Sequence, residues 1–206
     1  STDERFDLIK ELCHLSKNLY NAALYDVRQY YFETKLYRSW KSQRPIFTKS
    51  NNPDYYALQS HLAGEVFKQV GEQFIGFFNN KSNKKKRIPK YKDKNGYNIV
   101  SFPKITFSRQ IEFDENKQLY TYTLCKMSYN LKIQSTKSNI KMVKFVYDEV
   151  NDLIKCFKIY EIEQPKLKKD NSRYFSIDPG LNNIVSIYNN IGIRPLLYNG
   201  RPIKSI

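Results

Sequence analysis

Through the first 78 residues, apolar side chains recur every three or four positions; from residue 97 onward they alternate with polar ones. That change of period constrains the fold most. A repeat near 3.6 lines one face of a helix, and a repeat of two lines one face of a strand. Phe6, Ile9, Leu12, Leu15, Leu19, Ala23, Val27 and Tyr30 predict a long helix over 4–40. The turn-rich stretch "KSQRPIFTKSNNPD" (41–54) reads as a loop. A second long helix is expected from Asp54, as N-cap, to Phe78, with Leu58, Leu62, Val66, Val70, Phe74 and Phe77 as its stripe. Then "YNIVSFPKITF", "QIEFDENKQLYTYTL", "NLKIQST", "IKMVKFVYD" and "LIKCFKIYEIE" predict short antiparallel strands. The expected class is α+β: a helical region (1–80), a basic loop (81–96), a small antiparallel β-barrel (97–166) and a hairpin opening a last region (167–206). "QPKLKKDNS" (164–172) serves as the polar linker before that hairpin.

Charge divides along the same line. Residues 1–80 hold 10 basic and 9 acidic residues, whereas 81–206 hold 25 and 11. A one-sided cationic excess points to a polyanionic partner, nucleic acid before membrane. The excess peaks in "KSNKKKRIPKYKDK" (81–94), with eight basic residues and one acid. Lys81, Lys84, Lys85, Lys86, Arg87, Lys90, Lys92 and Lys94 are candidate phosphate contacts, and Tyr91 among them offers a ring on which a base can stack. A solvated charged loop explains the same run without function.

Other classes are excluded or disfavoured. No run of 18 apolar residues is present, so no transmembrane helix is expected. The acid-bearing start "STDERFDLIK" is not a signal peptide. It also lacks an initiator Met, and the chain stops just after a strand-like stretch; the pair reads as a segment of a longer protein. Cys13, Cys125 and Cys156 are far apart and form no CxxC, which supports neither zinc nor a disulfide framework; all three are expected to be buried thiols.

One acid stands out. In "RYFSIDPGLNNIVSIYNNIG" (173–192), Tyr174, Ser176 and Asp178 share one face of a strand that runs into Pro179-Gly180, and "NIVSIY" returns as a second strand. Asp178 is the last acidic residue of the chain. It is either a turn residue or one ligand of a Mg²⁺ site whose other carboxylates lie upstream or beyond Ile206, because Mg²⁺ sites for phosphate chemistry need several carboxylate oxygens.

"YFSIDPGLNNIVSI" is similar to the first catalytic segment of RuvC-type, RNase H-fold nucleases. The chain as a whole resembles the N-terminal part of TnpB, the OrfB-type proteins of bacterial insertion sequences related to type V CRISPR effectors. "LSKNLYNAAL" (15–24), "YYALQSHLAGEVFKQVGEQFIGFF" (55–78), "KKKRIPKYKDK" (84–94) and "NGRPIKSI" look like that family's segments in the right order. The resemblance implies two recognition helices, a wedge barrel and the first hairpin of an incomplete RuvC domain. It implies guide RNA and double-stranded target DNA as partners, together with the remaining RuvC domain, and no membrane. Asp178 becomes the first catalytic Asp and a Mg²⁺ ligand, with no zinc ligands in this segment. The segment alone is expected to be inactive, and the protein to be cytoplasmic and nucleoid-associated when bound to DNA. Tyr55, Tyr56 and Gln59 match the positions that face the DNA motif, where Gln can pair with adenine and Tyr can pack on a thymine methyl. Two other classes fit less well: a nuclease-inactive relative acting by occupancy, and an ATPase of the actin and chaperone class, whose phosphate hairpin lies near the N-terminus.

Overall fold

A computed structural model describes residues 4–79, 87–162, 171–180 and 183–199. The chain divides into two units, Ser1–Ile162 and Glu163–Ile206.

In the first unit, helix α1 spans Glu4–Thr34. Its apolar stripe buries Ile9, Leu12, Leu19, Ala23, Leu24 and Val27, as the spacing predicts. Helix α4 spans Ser60–Asn79, packs on α1, and buries Leu62, Val66, Phe67, Val70 and Phe74. Phe74 anchors an aromatic cluster with Tyr31, Tyr37, Phe77 and Phe78.

Between these helices the structure departs from the expected loop. Trp40–Lys49 is helix α2, although Pro45 lies inside it. An interior proline costs roughly 3 kcal/mol. Two buried anchors offset that cost. Phe47 packs edge-on against Phe67 at 5.1 Å, and Gln43 donates to the Ala23 carbonyl at 2.9 Å. The Arg38–Asp26 ion pair (2.7 Å) ties the entry of α2 to α1. The second long helix is also split. Asn52, not Asp54, caps the short helix α3 (Pro53–Tyr56), and α4 starts afresh at Ser60.

Six strands follow: β1 (Val100–Pro103), β2 (Glu112–Asp114), β3 (Leu119–Leu124), β4 (Leu131–Ser135), β5 (Ile140–Asp148) and β6 (Leu153–Tyr160). They form two antiparallel sheets, ordered β1-β5-β6 and β2-β3-β4. The expected barrel does not close. On one side the sheets join through the Phe107–Leu124 bridge and the bond from Cys125 N to the Thr106 carbonyl. On the other side no backbone ladder links β4 to β6 among the described residues; Ser135 and Tyr160 meet there by side chains alone, at 2.9 Å. An open groove lined by Phe6, Leu131, Ile133, Leu153 and Cys156 lies between those edges. The cysteine expectation holds for Cys13 and Cys125, which are buried, but Cys156 is exposed. It sits on β6, an edge strand, and opens onto that groove.

The second unit is one antiparallel sheet of β7 (Phe175–Pro179), β8 (Asn183–Asn189) and β9 (Leu196–Asn199), in that order. The expected strand–turn–strand is present as β7 and β8, with Ser176 opposite Tyr188 and Asp178 opposite Ser186. Among the described residues no helix is long and apolar enough to cross a membrane.

Candidate nucleic-acid interface and an exposed carboxylate

The basic run falls partly outside the described residues: Lys81, Lys84, Lys85 and Lys86 are not among them. The remainder, 87–98, has no regular structure, so its backbone polar groups need partners other than a ladder. Helix α1 supplies them. Asn21 brackets residue 92, donating to its carbonyl and accepting from its N–H, each at 2.9 Å. Tyr20 directs its hydroxyl proton to Gln73 Oε1 and lies a longer 3.4 Å from the Lys90 carbonyl. Lys17, itself buried, donates through Nζ to the Lys94 carbonyl. Asn98 N donates to the Cys13 carbonyl at 3.0 Å. The segment is therefore a strap, clamped along one face of α1 rather than a loop free in solvent.

The clamp uses the carbonyls of residues 90, 92 and 94 and the N–H groups of residues 92 and 98, which leaves the side chains of Arg87, Lys90, Tyr91 and Lys94 out of it. Arg87, Lys90, Tyr91 and Lys94 are exposed. Lys92 differs: it is half-buried, and its ammonium sits 5.2 Å from the centre of the Tyr20 ring. Burial lowers its pKa from the ordinary lysine value. Arg28 of α1 lies 4.6 Å from the centre of the Tyr91 ring. The sequence reading missed Lys17, Asn21 and Arg28. Their spacing of four and seven is one face of a helix, and a polar line beside an apolar stripe was the signal that could have found them.

The three positions proposed to face a DNA motif separate. Tyr55 is only 5% exposed; its ring stacks on Phe67 and its hydroxyl accepts from Arg44 Nε at 3.2 Å. That ring belongs to the core and is not presented to a duplex. Tyr56 is 56% exposed. Gln59 caps α4: its carbonyl accepts the first helical bond, from Ala63, and its Oε1 accepts from His61 N at 2.9 Å. An oxygen committed to the helix start is a poor partner for adenine N6. Gln59→Ala is therefore expected to cost about 0.5–2 kcal/mol of stability, the usual worth of a side-chain cap. Urea unfolding measures it, and a loss below about 0.3 kcal/mol would show that the cap contributes nothing.

Asp178 is exposed near the end of β7. Turn aspartates in this chain behave differently. Asp114 accepts from Asn116 N and Lys117 N, and Asp148 from Val150 N and Asn151 N. Asp178 makes no such bond to Gly180, whose N–H goes to the Ile184 carbonyl at 3.4 Å; Leu181, three residues on, lies outside the described residues. The neighbours of Asp178 are hydroxyls, with Ser186 across the ladder and Ser176 two residues back on the same strand. Among the described residues no three His, Cys, Asp or Glu side chains gather to hold a metal. The donor set fits one ligand of a Mg²⁺ site and not a whole site.

No protein-family model and no curated protein matches this chain.

Proposed function

We propose that this chain is the N-terminal portion of a TnpB-like, RNA-guided DNA endonuclease, which binds guide RNA and target DNA and supplies Asp178 to a RuvC-type site. The observation that carries the binding half is the strap. Four cations and one acid lie in 87–98, and α1 holds the backbone so that Arg87, Lys90 and Lys94 face solvent. Holding cations in place before binding lowers the ordering cost of a phosphate interface. The nuclease half rests on the likeness of "YFSIDPGLNNIVSI" to a first RuvC catalytic segment, with Asp178 exposed near the end of β7.

The second reading, a relative that binds guide and DNA without cutting, keeps the strap and makes Asp178 dispensable. The retained Asp178 weighs slightly against it.

The purified 206-residue chain is expected to bind single-stranded RNA with a steep dependence on salt and to leave plasmid DNA uncut with Mg²⁺. Affinity that does not fall between low and physiological salt would defeat the nucleic-acid reading. Cleavage by this chain that disappears in Asp178→Ala would show that the site is complete here.

A further inference from the structure

We propose that Tyr91, backed by Arg28, is a rigid stacking platform for one unpaired base of a single-stranded nucleic acid. This rests on the nucleic-acid reading above and names the part of the ligand that the site takes.

The chain is rich in tyrosine and in cation–ring contacts, but Tyr91 differs from most of those rings in its exposure. Tyr20, under Lys92, is 2% exposed and belongs to the core. Tyr91 is 43% exposed. Its backbone is fixed from the next residue onward, by Asn21 at both backbone groups of residue 92 and by Lys17 at the Lys94 carbonyl. Arg28 stands over its ring at 4.6 Å and 5.7 Å from the Phe32 ring. The guanidinium thus lies between two aromatic side chains, and Nε of Arg28 is buried without a hydrogen-bond partner. Arginine tolerates such a position because its planar guanidinium stacks on rings and is weakly hydrated. The arrangement holds the Tyr91 ring still and leaves its other surface for a ligand.

The occupant follows from charge and shape. Exposed Arg87, Lys90 and Lys94 flank Tyr91 along the strap, against Asp93 alone among its acids. A flat, apolar face within a cationic rim suits an aromatic ring attached to phosphate. Duplex bases are stacked on one another and cannot reach a lone side chain. Unpaired bases can, and stacking on an aromatic ring tolerates any base. Tyr25, 58% exposed, and Phe32, 43% exposed, lie three before and four after Arg28 on the same helix and extend the aromatic surface.

The test uses the purified chain with a fluorescent RNA of mixed sequence and the same sequence as a duplex. Tyr91→Ala is expected to weaken single-strand binding about 5- to 150-fold, the range for losing one stacked base. Tyr91→Phe is expected to bind as the unaltered chain does. The salt slope should stay unchanged in both, since no phosphate contact is lost. Arg28→Leu is expected to weaken binding only when Tyr91 is present, so the double variant should equal Tyr91→Ala. Circular dichroism checks that each variant is folded. An equal loss for single strand and duplex, or full affinity in Tyr91→Ala, would overturn the platform while leaving the salt-dependent strap intact. Absence of any salt-dependent binding by the unaltered chain would overturn both.

Discussion

Alanine at Asp178, in a protein that joins this segment to the rest of a RuvC site, is expected to lower Mg²⁺-dependent DNA cleavage by about a thousandfold or more. RNA affinity should stay within about twofold. Metal ions in such sites contribute several kcal/mol to the transition state, and about 4 kcal/mol is a thousandfold in rate. Removing the side chain leaves the β7–β8 backbone ladder in place. Asp178 is exposed, faces Ser186 across the β7–β8 ladder, and leaves Gly180 N to the Ile184 carbonyl. A surface substitution of that kind shifts stability by within about 0.5 kcal/mol. Loss of cutting with intact folding and intact RNA binding therefore has one explanation, a carboxylate used in the chemistry. Cleavage near the unaltered rate would leave the occupancy reading, with Asp178 a bystander at a strand end.

The helices were legible where periodicity ran long and unbroken. The stripe from Ile9 to Val27 is buried as spacing predicts, and so is the one from Leu62 to Phe74. Legibility failed between them because tertiary anchoring overrode local preference. Pro45 and the turn formers of 41–54 argue for a loop, but Phe47 on Phe67 and Gln43 on Ala23 need α1 and α4 to be seen. The strands were legible as strands. Their closure was not, because alternation says which face is buried and not which edges pair. β4 and β6 carry alternating residues as regular as the rest, yet face each other as open edges.

The site divides the same way. Charge density located the strap, and strand alternation placed Asp178 on a face with Ser176. Neither could show what the backbone of 87–98 is attached to. Those contacts span about 70 to 85 residues of sequence, from Cys13 to Asn98 and from Asn21 to residue 92. Gln59 shows the reverse failure. A residue chosen for its base-reading amide uses that oxygen to start a helix, a role that sequence assigned to Asp54.

Alanine at Arg87, Lys90 and Lys94 together is expected to flatten the salt dependence of RNA binding by about 2 in log–log slope, from about 0.7 per lost contact on a single strand. Near 0.1 M salt that amounts to about a hundredfold loss of affinity. These three are chosen because their exposed side chains can be removed while the clamp survives. The ties to Lys90 and Lys94 go to their carbonyls, which alanine keeps. Lys92 is left in place because its stem and ammonium pack on Tyr20, and its removal would mix packing with charge. A control triple, Lys35, Lys41 and Lys49 to alanine, removes the same number of exposed charges from elsewhere in the helical region. If binding depended on net charge alone, both triples would lose equally, since a field summed over the protein does not ask which lysine supplied it. If the strap is the interface, the first triple loses affinity and slope while the control loses little of either. Equal losses would return the basic run to a solvated surface feature, and the clamp of Lys17, Tyr20 and Asn21 would then serve the fold alone.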